Sequence, residues 1–365
     1  MALLGAGVIS APHAFTLQSI STAKLVAVCD RDTEKARACA KDWKIPEIFS
    51  SLDEMLSKVQ PDVVHILLPP SAHASAALEC LAGGAHVLVE KPLALSSKDC
   101  RAIENAAAKA NRIAGVNHNL TFMPGVVKLL DVIRNFEIGE VEHVSVTYNL
   151  LMPALAAGQH GHWMFGSKER ILFELGPHPL SVICRLLGRV TGASAALSGH
   201  TVLNNGQPFY DTWQTSLVCE RGSAQMLLAV GREYLSTRAH VIGQDGEVFV
   251  DLRRNTVQIS GKTKWQRAGN LVDSWHNGKA LISSSLRNLS AYLQGTVGLK
   301  PAYDLQNISM AGSIGAFYDT LLSRKSLAAS AAEGTAVVEA CESILESGEL
   351  FLQAQSGVYS DVSYR

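Results

Sequence analysis

Apolar positions in the first third of the chain follow two alternating rhythms. Short, largely β-branched runs read as strands: LVAVCD (25–30), DVVHILLP (62–69), AHVLVE (85–90) and RIAGVNHN (112–119). Between them lie TEKARACAKDW (33–43), SAHASAALECLAGG (71–84) and SKDCRAIENAAAKAN (97–111), with helical spacing and much alanine. Repeated βα units predict an α/β Rossmann domain, a doubly wound parallel sheet. From about residue 121 the rhythm changes. VEHVSVTYNL, GASAALSGHTVL, TWQTSLVC, SAQMLLAV, RAHVIG, EVFVDL and TVQIS follow with few helices between them. QDGEVFVDLRRNTVQIS reads as a hairpin, with Asp245-Gly246 at a turn leading into it. These runs predict an α+β domain with a large, mostly antiparallel open sheet. The tail EGTAVVEACESILESGELF (333–351) reads as one amphipathic helix. The expected domains are residues 1–120 and 121–365, closely joined, with the C-terminal helix free to pack back on the first.

Composition narrows the classes. The 365 residues are 47% hydrophobic and 18% charged, as in an ordinary globular protein, with a net charge of −1. No broad basic field marks a nucleic-acid partner. The seven cysteines form no CxxC pair and are odd in number, which suits reduced thiols in a cytoplasmic protein. No apolar run approaches the ~18 residues of a membrane span. MALLGAGVIS lacks a basic flank and is interrupted by Gly5 and Gly7, so it does not read as a signal peptide. The first strand, Met1 to Leu4, is short, which leaves an upstream start open.

LLGAGVISAPHA (3–14) carries Gly5-x-Gly7-x-x-Ser10 between a strand and a helix. Gly5 permits the tight turn, and Gly7 lets the backbone approach a pyrophosphate. The third glycine is replaced by the small Ser10. Val8 and Ile9 complete this loop. Asp30 ends the second strand where a carboxylate can accept from both ribose hydroxyls and repel a 2′-phosphate. NAD is therefore expected, and the adjacent Arg31 keeps NADP open. The alternative for Asp30 is a helix cap, and for Arg31 a solvated turn residue.

These pieces resemble the Gfo/Idh/MocA family, the glucose–fructose oxidoreductase and inositol dehydrogenase group. GAGVIS, VAVCDRD, LLPPSAH, CLAGGAHVLVEKPLALS, ELGPHPLSVICRLLG and HVIGQDGEVFVDL fall in the family's order over nearly the whole chain. Glu90-Lys91-Pro92 after HVLV is the most specific of them. The resemblance implies a hydride moved between nicotinamide and a secondary alcohol or ketone of a sugar, cyclitol or sugar derivative. An ammonium at Lys91 would stabilise developing alkoxide character. A second group must exchange the hydroxyl proton. In the family this comes from a D-x-G-x-H segment, matched here by Glu174-Leu175-Gly176-Pro177-His178, with glutamate for the usual aspartate. Lys91 and His178 are thus expected to converge on the nicotinamide. Pro177 and Pro179 suit a first helical turn, whose positive end would keep His178 neutral.

The resemblance also implies cofactor contacts at Leu68, Pro69, His73, Glu90, Lys91 and Asn119. It implies substrate contacts at Lys91, Asn119, His162, Trp163, Glu174 and His178. Leu68-Pro69-Pro70 replaces the frequent Thr-Pro-Asn, and Leu120-Thr121 stands where a basic residue is common. Ser181 stands where many members have another aspartate. These departures bear on the substrate more than on the reaction. Glu174 could instead pair with Arg170 or Lys168, Trp163 could be plain core, and His73 a cap. His118 reads as a core histidine. His160 and His162 alone are too few for a metal, so none is expected. The family's open sheet implies a homodimer or homotetramer. Two rivals are a non-catalytic NAD- and sugar-binding sensor of the same family, and a same-fold reductase of a non-sugar carbonyl.

Overall fold

The computed structural model describes residues 1–262, 269–296, 304–323 and 329–362. Two compact units result: residues 1–122 with 309–339, and residues 123–308 with 340–365.

In the first unit, β1 (Ala2–Leu4), β2 (Ala27–Cys29), β3 (Glu47–Phe49), β4 (Val63–Ile66), β5 (His86–Val89) and β6 (Ala114–Val116) form one sheet in the order β3-β2-β1-β4-β5-β6. Every pairing is parallel. The strands β1, β2, β4 and β6 are buried throughout, which is why they read as apolar runs rather than alternations. The connecting helices are α1 (Ser10–Ser19), α2 (Thr33–Trp43), α3 (Leu52–Val59), α4 (His73–Ala82) and α5 (Ser97–Ala110). Asp32, Ser51 and Ser96 cap α2, α3 and α5 through side-chain oxygens. Strand order reverses between β1 and β4, so the crevice of this sheet opens past Leu4 and Ile66.

In the second unit, β7 (Val141–Leu150), β8 (Val190–Val202), β9 (Pro208–Cys219), β10 (Gly222–Val230), β11 (Ser236–Gly243), β12 (Gly246–Asp251) and β13 (Thr256–Gly261) make a seven-stranded sheet, β13-β12-β11-β7-β10-β9-β8. Only β7 and β10 run parallel. Along β9 and β10 burial alternates, the mark of a sheet covered on one face. α6 (Pro124–Arg134), α7 (Pro153–Ala156), α8 (Arg170–Leu175), α9 (Pro177–Leu187) and α10 (Gly269–Thr296) belong to this unit. The last two helices cross the unit boundary: α11 (Leu305–Ser323) and α12 (Ala331–Val362). Ala195 donates its N–H to Ser347 Oγ of α12 at 3.0 Å, and Trp213 is buried on the same side.

The expected fold class is the observed one. The β3 strand and the α3, α6, α7, α8, α10 and α11 helices lie outside the elements that the sequence pattern predicts. Met310, Ile314, Phe317 and Tyr318 of α11 join Leu3, Val28, Val63 and Leu88 in the core of the first unit.

Candidate active site

The loop after β1 shows why glycine is required. Gly5 has φ +107°, and a Cβ there would lie 2.7 Å from the Leu67 carbonyl oxygen after β4. Any side chain would be strained and would clash with backbone. At Gly7 a Cβ would meet nothing within 4 Å, so the position faces open space that a ligand can enter. Val8 beside it is 97% exposed. Ile9 gives α1 no side-chain cap, and the first turn holds no acidic residue. The free N–H groups there suit an anion.

Asp30 Oδ2 accepts from the Ala6 N–H at 2.7 Å, and Oδ1 accepts from Asp32 N–H at 2.9 Å. The carboxylate thus ties the glycine loop to the end of β2. A carboxylate has about four lone-pair sites, so two remain for a diol. The helix cap of α2 is Asp32, not Asp30, and Arg31 is exposed. These residues fit a dinucleotide.

Lys91 follows β5, two strands from β1 in the sheet, or about 10 Å at ordinary strand spacing. It is half-buried, and the Lys91–Pro92 peptide is cis. Glu90 beside it is buried. Its Oε1 meets His13 Nε2 at 2.8 Å and accepts from Asn117 Nδ2 at 2.6 Å, while Oε2 accepts from the Lys91 N–H at 3.2 Å. Burial alone would raise this carboxyl. The His13 hydrogen bond and charge, the Asn117 amide and the Lys91 charge outweigh it and hold the group at about 2. Glu90 is therefore built inward, with both of its oxygens engaged by protein groups.

His73 is likewise turned inward. Its Nδ1 faces the Pro92 carbonyl and its Nε2 the Leu68 carbonyl, both at 2.7 Å. Both nitrogens are taken by main chain, so the ring clasps the loops after β4 and β5 together. Two carbonyls favour an imidazolium; burial is the larger influence and lowers the pKa. Leu68 is half-buried and Pro69 exposed at the mouth of that clasp. Asn119, in a short 3-10 turn, donates to Ser309 Oγ at 3.3 Å.

In the second unit, Trp163 Nε1–H donates to Glu174 Oε2 at 2.7 Å. The expected alternatives for Glu174 fall elsewhere: Lys168 pairs with Glu349 at 3.3 Å, and Arg170 donates to the Trp163 carbonyl at 3.4 Å. His178 lies 5.5 Å, centroid to centroid, from the Tyr148 ring of β7. Burial pushes the Tyr148 phenol far up, so it stays protonated. His178 occupies the first turn of α9, as the prolines suggest. However, Gly176 is itself helical and α8 runs directly into α9, with Gly176 N–H donating to the Leu172 carbonyl. The turn is not an isolated positive end, so the expected dipole effect on His178 has little basis. His162 is exposed and caps the 3-10 turn Trp163–Phe165. His160 Nδ1 accepts from Asn204 N–H at 3.2 Å. Among the described residues no group of three or more His, Cys, Asp or Glu could hold a metal ion.

Sequence reading missed His13, His65, Asn117, Tyr148 and Tyr318. The available signal was a polar residue inside an apolar run: His65 in DVVHILLP and Asn117 in IAGVN. Tyr318 gave none.

Comparison with known proteins agrees with the first unit. Residues 1–118 match the Gfo/Idh/MocA profile, an oxidoreductase family with an NAD-binding Rossmann fold. A D-apiose dehydrogenase of Paraburkholderia graminis is 28% identical over 260 residues, 71% of this chain and 67% of that protein. A D-glucoside 3-dehydrogenase of Escherichia coli is 28% identical over 193 residues, 52% of this chain and 54% of its own length. Those matches thus span from about half to two thirds of the curated relatives. A levoglucosan dehydrogenase solved with NADH and levoglucosan superimposes with TM-score 0.78 at 17% identity, covering 96% of this chain and 97% of that one. At that identity the likeness speaks for the fold. Through its first 118 residues the chain is similar to the Gfo/Idh/MocA family of oxidoreductases.

Proposed function

We propose that the protein is an NAD-dependent dehydrogenase acting on a secondary alcohol or ketone of a sugar, cyclitol or sugar derivative. The observation that carries this reading is the paired construction at the carboxyl ends of the parallel strands. The strained glycine at Gly5, tied to Asp30 through Ala6, prepares a dinucleotide site, and a lysine on a buried glutamate follows β5 of the same sheet. The relatives named as D-apiose and D-glucoside dehydrogenases support the substrate class.

Bound NAD supplies the hydride acceptor at its nicotinamide. The N–H groups at the start of α1 bind the pyrophosphate, and Gly7 leaves the room it needs. Asp30 takes the ribose hydroxyls with its remaining lone pairs and disfavours a 2′-phosphate; Arg31, exposed beside it, is the group that would tolerate one. Leu68 and Pro69, held by the His73 clasp, line the nicotinamide half. Lys91 donates to the substrate oxygen and stabilises its developing negative charge, an effect of about 3 kcal/mol for one well-placed donor. His178 exchanges the hydroxyl proton, and the Tyr148 ring lies tilted beside it. Glu174, fixed by the Trp163 indole, and Asn119 orient substrate hydroxyls; His162 stands at the rim. The protein works in the cytoplasm as a homodimer or homotetramer joined through the open sheet, whose uncovered face carries Val218 and Leu227.

The test is direct. Purified protein with NAD is mixed with a panel of sugars, cyclitols and nucleotide sugars, and absorbance at the reduced nicotinamide band is followed. Reduction with at least one polyol supports the reading. Tight NAD binding without reduction by any of them removes it in favour of a sensor.

A further inference from the structure

A row of buried polar side chains crosses the first unit from α11 to the start of the Lys91 segment. The Tyr318 hydroxyl lies 2.8 Å from His65 Nε2. His65 Nδ1 lies 2.7 Å from His13 Nδ1. His13 Nε2 lies 2.8 Å from Glu90 Oε1, and Glu90 Oε2 accepts from the Lys91 N–H. His13 and His65 are fully buried, and Tyr318 is 5% exposed. Such a file in a low-dielectric interior is costly unless every member is satisfied.

Proton positions follow from the partners. An ionised Glu90 only accepts, so His13 Nε2 carries a hydrogen. With His13 neutral, its Nδ1 accepts from His65 Nδ1–H, and His65 Nε2 accepts from the Tyr318 O–H. With one more proton on His13, each of those two links reverses. His65 Nε2–H then donates to the Tyr318 oxygen, and the phenol hydrogen can turn to Met1 Sδ at 3.5 Å. Both arrangements satisfy every ring nitrogen. In both, His13 donates to Glu90. The groups facing this pair are Asn117 Nδ2, 3.4 Å from His13 Nε2, and the Lys91 and N-terminal charges, besides Glu90 and Tyr318 themselves. Movement of protons toward Glu90 would leave a phenolate at Tyr318. Burial pushes that phenol far up while the His13 and Asn117 hydrogen bonds and the Lys91 charge hold Glu90 low, so the file favours a carboxylate at Glu90.

We propose that Tyr318, His65 and His13 are positioning residues that act through Glu90: their hydrogen bonds keep the carboxylate turned so that it anchors the Lys91 main chain whether or not His13 is protonated. The proposal deepens the dehydrogenase reading and rests on its role for Lys91.

The experiment uses the full chain and two variants, Tyr318→Phe and His65→Leu. In the wild type, nitrogen-15 NMR of the histidine rings shows His13 Nε2 protonated from pH 5 to 9. Reductive methylation followed by mass spectrometry then measures how fast Lys91 is labelled. Each variant changes that rate by about threefold or more, as expected when a buried partner is left unpaired. Exposed Lys98 in the same molecules is unchanged. With a turned-over polyol, kcat falls about tenfold while the KM for NAD stays within about twofold, the split expected of lost transition-state positioning. Wild-type Lys91 labelling in both variants, or an unprotonated His13 Nε2 at neutral pH, overturns the proposal. Tyr318→Phe removes one oxygen and keeps the ring, so it still decides the matter if His65→Leu fails to fold. Absence of NAD-linked turnover in the wild type would count against the dehydrogenase reading alone, because ring shifts and labelling need no substrate.

Discussion

At the residue scale the account turns on charges placed for specific partners. Lys91→Ala removes the proposed donor to the substrate oxygen and leaves the glycine loop as it is. NAD affinity measured by fluorescence should stay within about threefold, while kcat falls by about a hundredfold or more, the usual cost of one such donor. An unchanged kcat would strip Lys91 of its role. Asp30→Ala loses both the proposed ribose acceptor and the tie to Ala6 N–H. NAD should weaken by about tenfold, one charge-assisted hydrogen bond's worth, and NADP by less. Equal losses for both dinucleotides would show that Asp30 serves the loop alone. The placement of Gly5, Asp30 and Lys91 just past strand ends was legible, because each follows an apolar run. The support behind them was not. His13, His65 and Tyr318 come from three distant stretches, and only the fold brings them onto Glu90.

At the element scale, geometry limits what each turn accepts. Gly5→Ala demands φ near +107° from a residue with a Cβ that would sit against the Leu67 carbonyl. Chemical denaturation should show a loss of about 1–3 kcal/mol, and NAD binding should fail with it. Retained affinity would mean that the turn is not where the pyrophosphate rests. The buried file also gives the parallel sheet an acid limit. Burial keeps His65 neutral, its pKa well below that of an unfolded histidine. Its stabilising contribution is complete above an unfolded pKa of about 6.5 and is lost as pH falls below it, by about 1.4 kcal/mol per pH unit. Glu90 is depressed to about 2. Its contribution is present above an unfolded value of about 4.3 and disappears as pH falls from there toward 2. Denaturation free energies should be flat near neutrality and decline below about pH 6.5. In His65→Leu the decline should be shallower, because His73 and His86, which burial also lowers, still titrate there; the same slope in both proteins would contradict this assignment. Strands within apolar runs and the helices α2, α4 and α5 could be read from pattern alone, whereas α3, though capped by Ser51, could not. β3 is three residues long with two exposed, and α11 spreads small and apolar residues round its circumference, so neither has a clear period.

At the scale of the whole molecule, the chain returns to its beginning. Residues 309–339 cluster with residues 1–122, and Met310, Ile314, Phe317 and Tyr318 complete the core under β1 and β4. No local periodicity announces a return across nearly two hundred residues. A fragment ending at residue 122 lacks these side chains and also the hydroxyl that meets His65. It should be aggregated or loosely folded by circular dichroism and hydrogen exchange, whereas the full chain should gain about 2.7 kcal/mol of stability at NAD a hundredfold above its Kd. A cooperatively folded fragment that binds NAD as the full chain does would show that the returning segment is dispensable. The central claim, that Lys91 serves hydride transfer from a polyol to NAD, meets its most direct test in one paired measurement. Wild type and Lys91→Ala, each first shown to bind NAD equally, are mixed with the same sugar and cyclitol panel while nicotinamide absorbance is followed. The account predicts reduction by the wild type with at least one polyol and loss of about 99% of that rate in the variant; equal rates in the two proteins, or no reduction by a wild type that binds NAD, would contradict it.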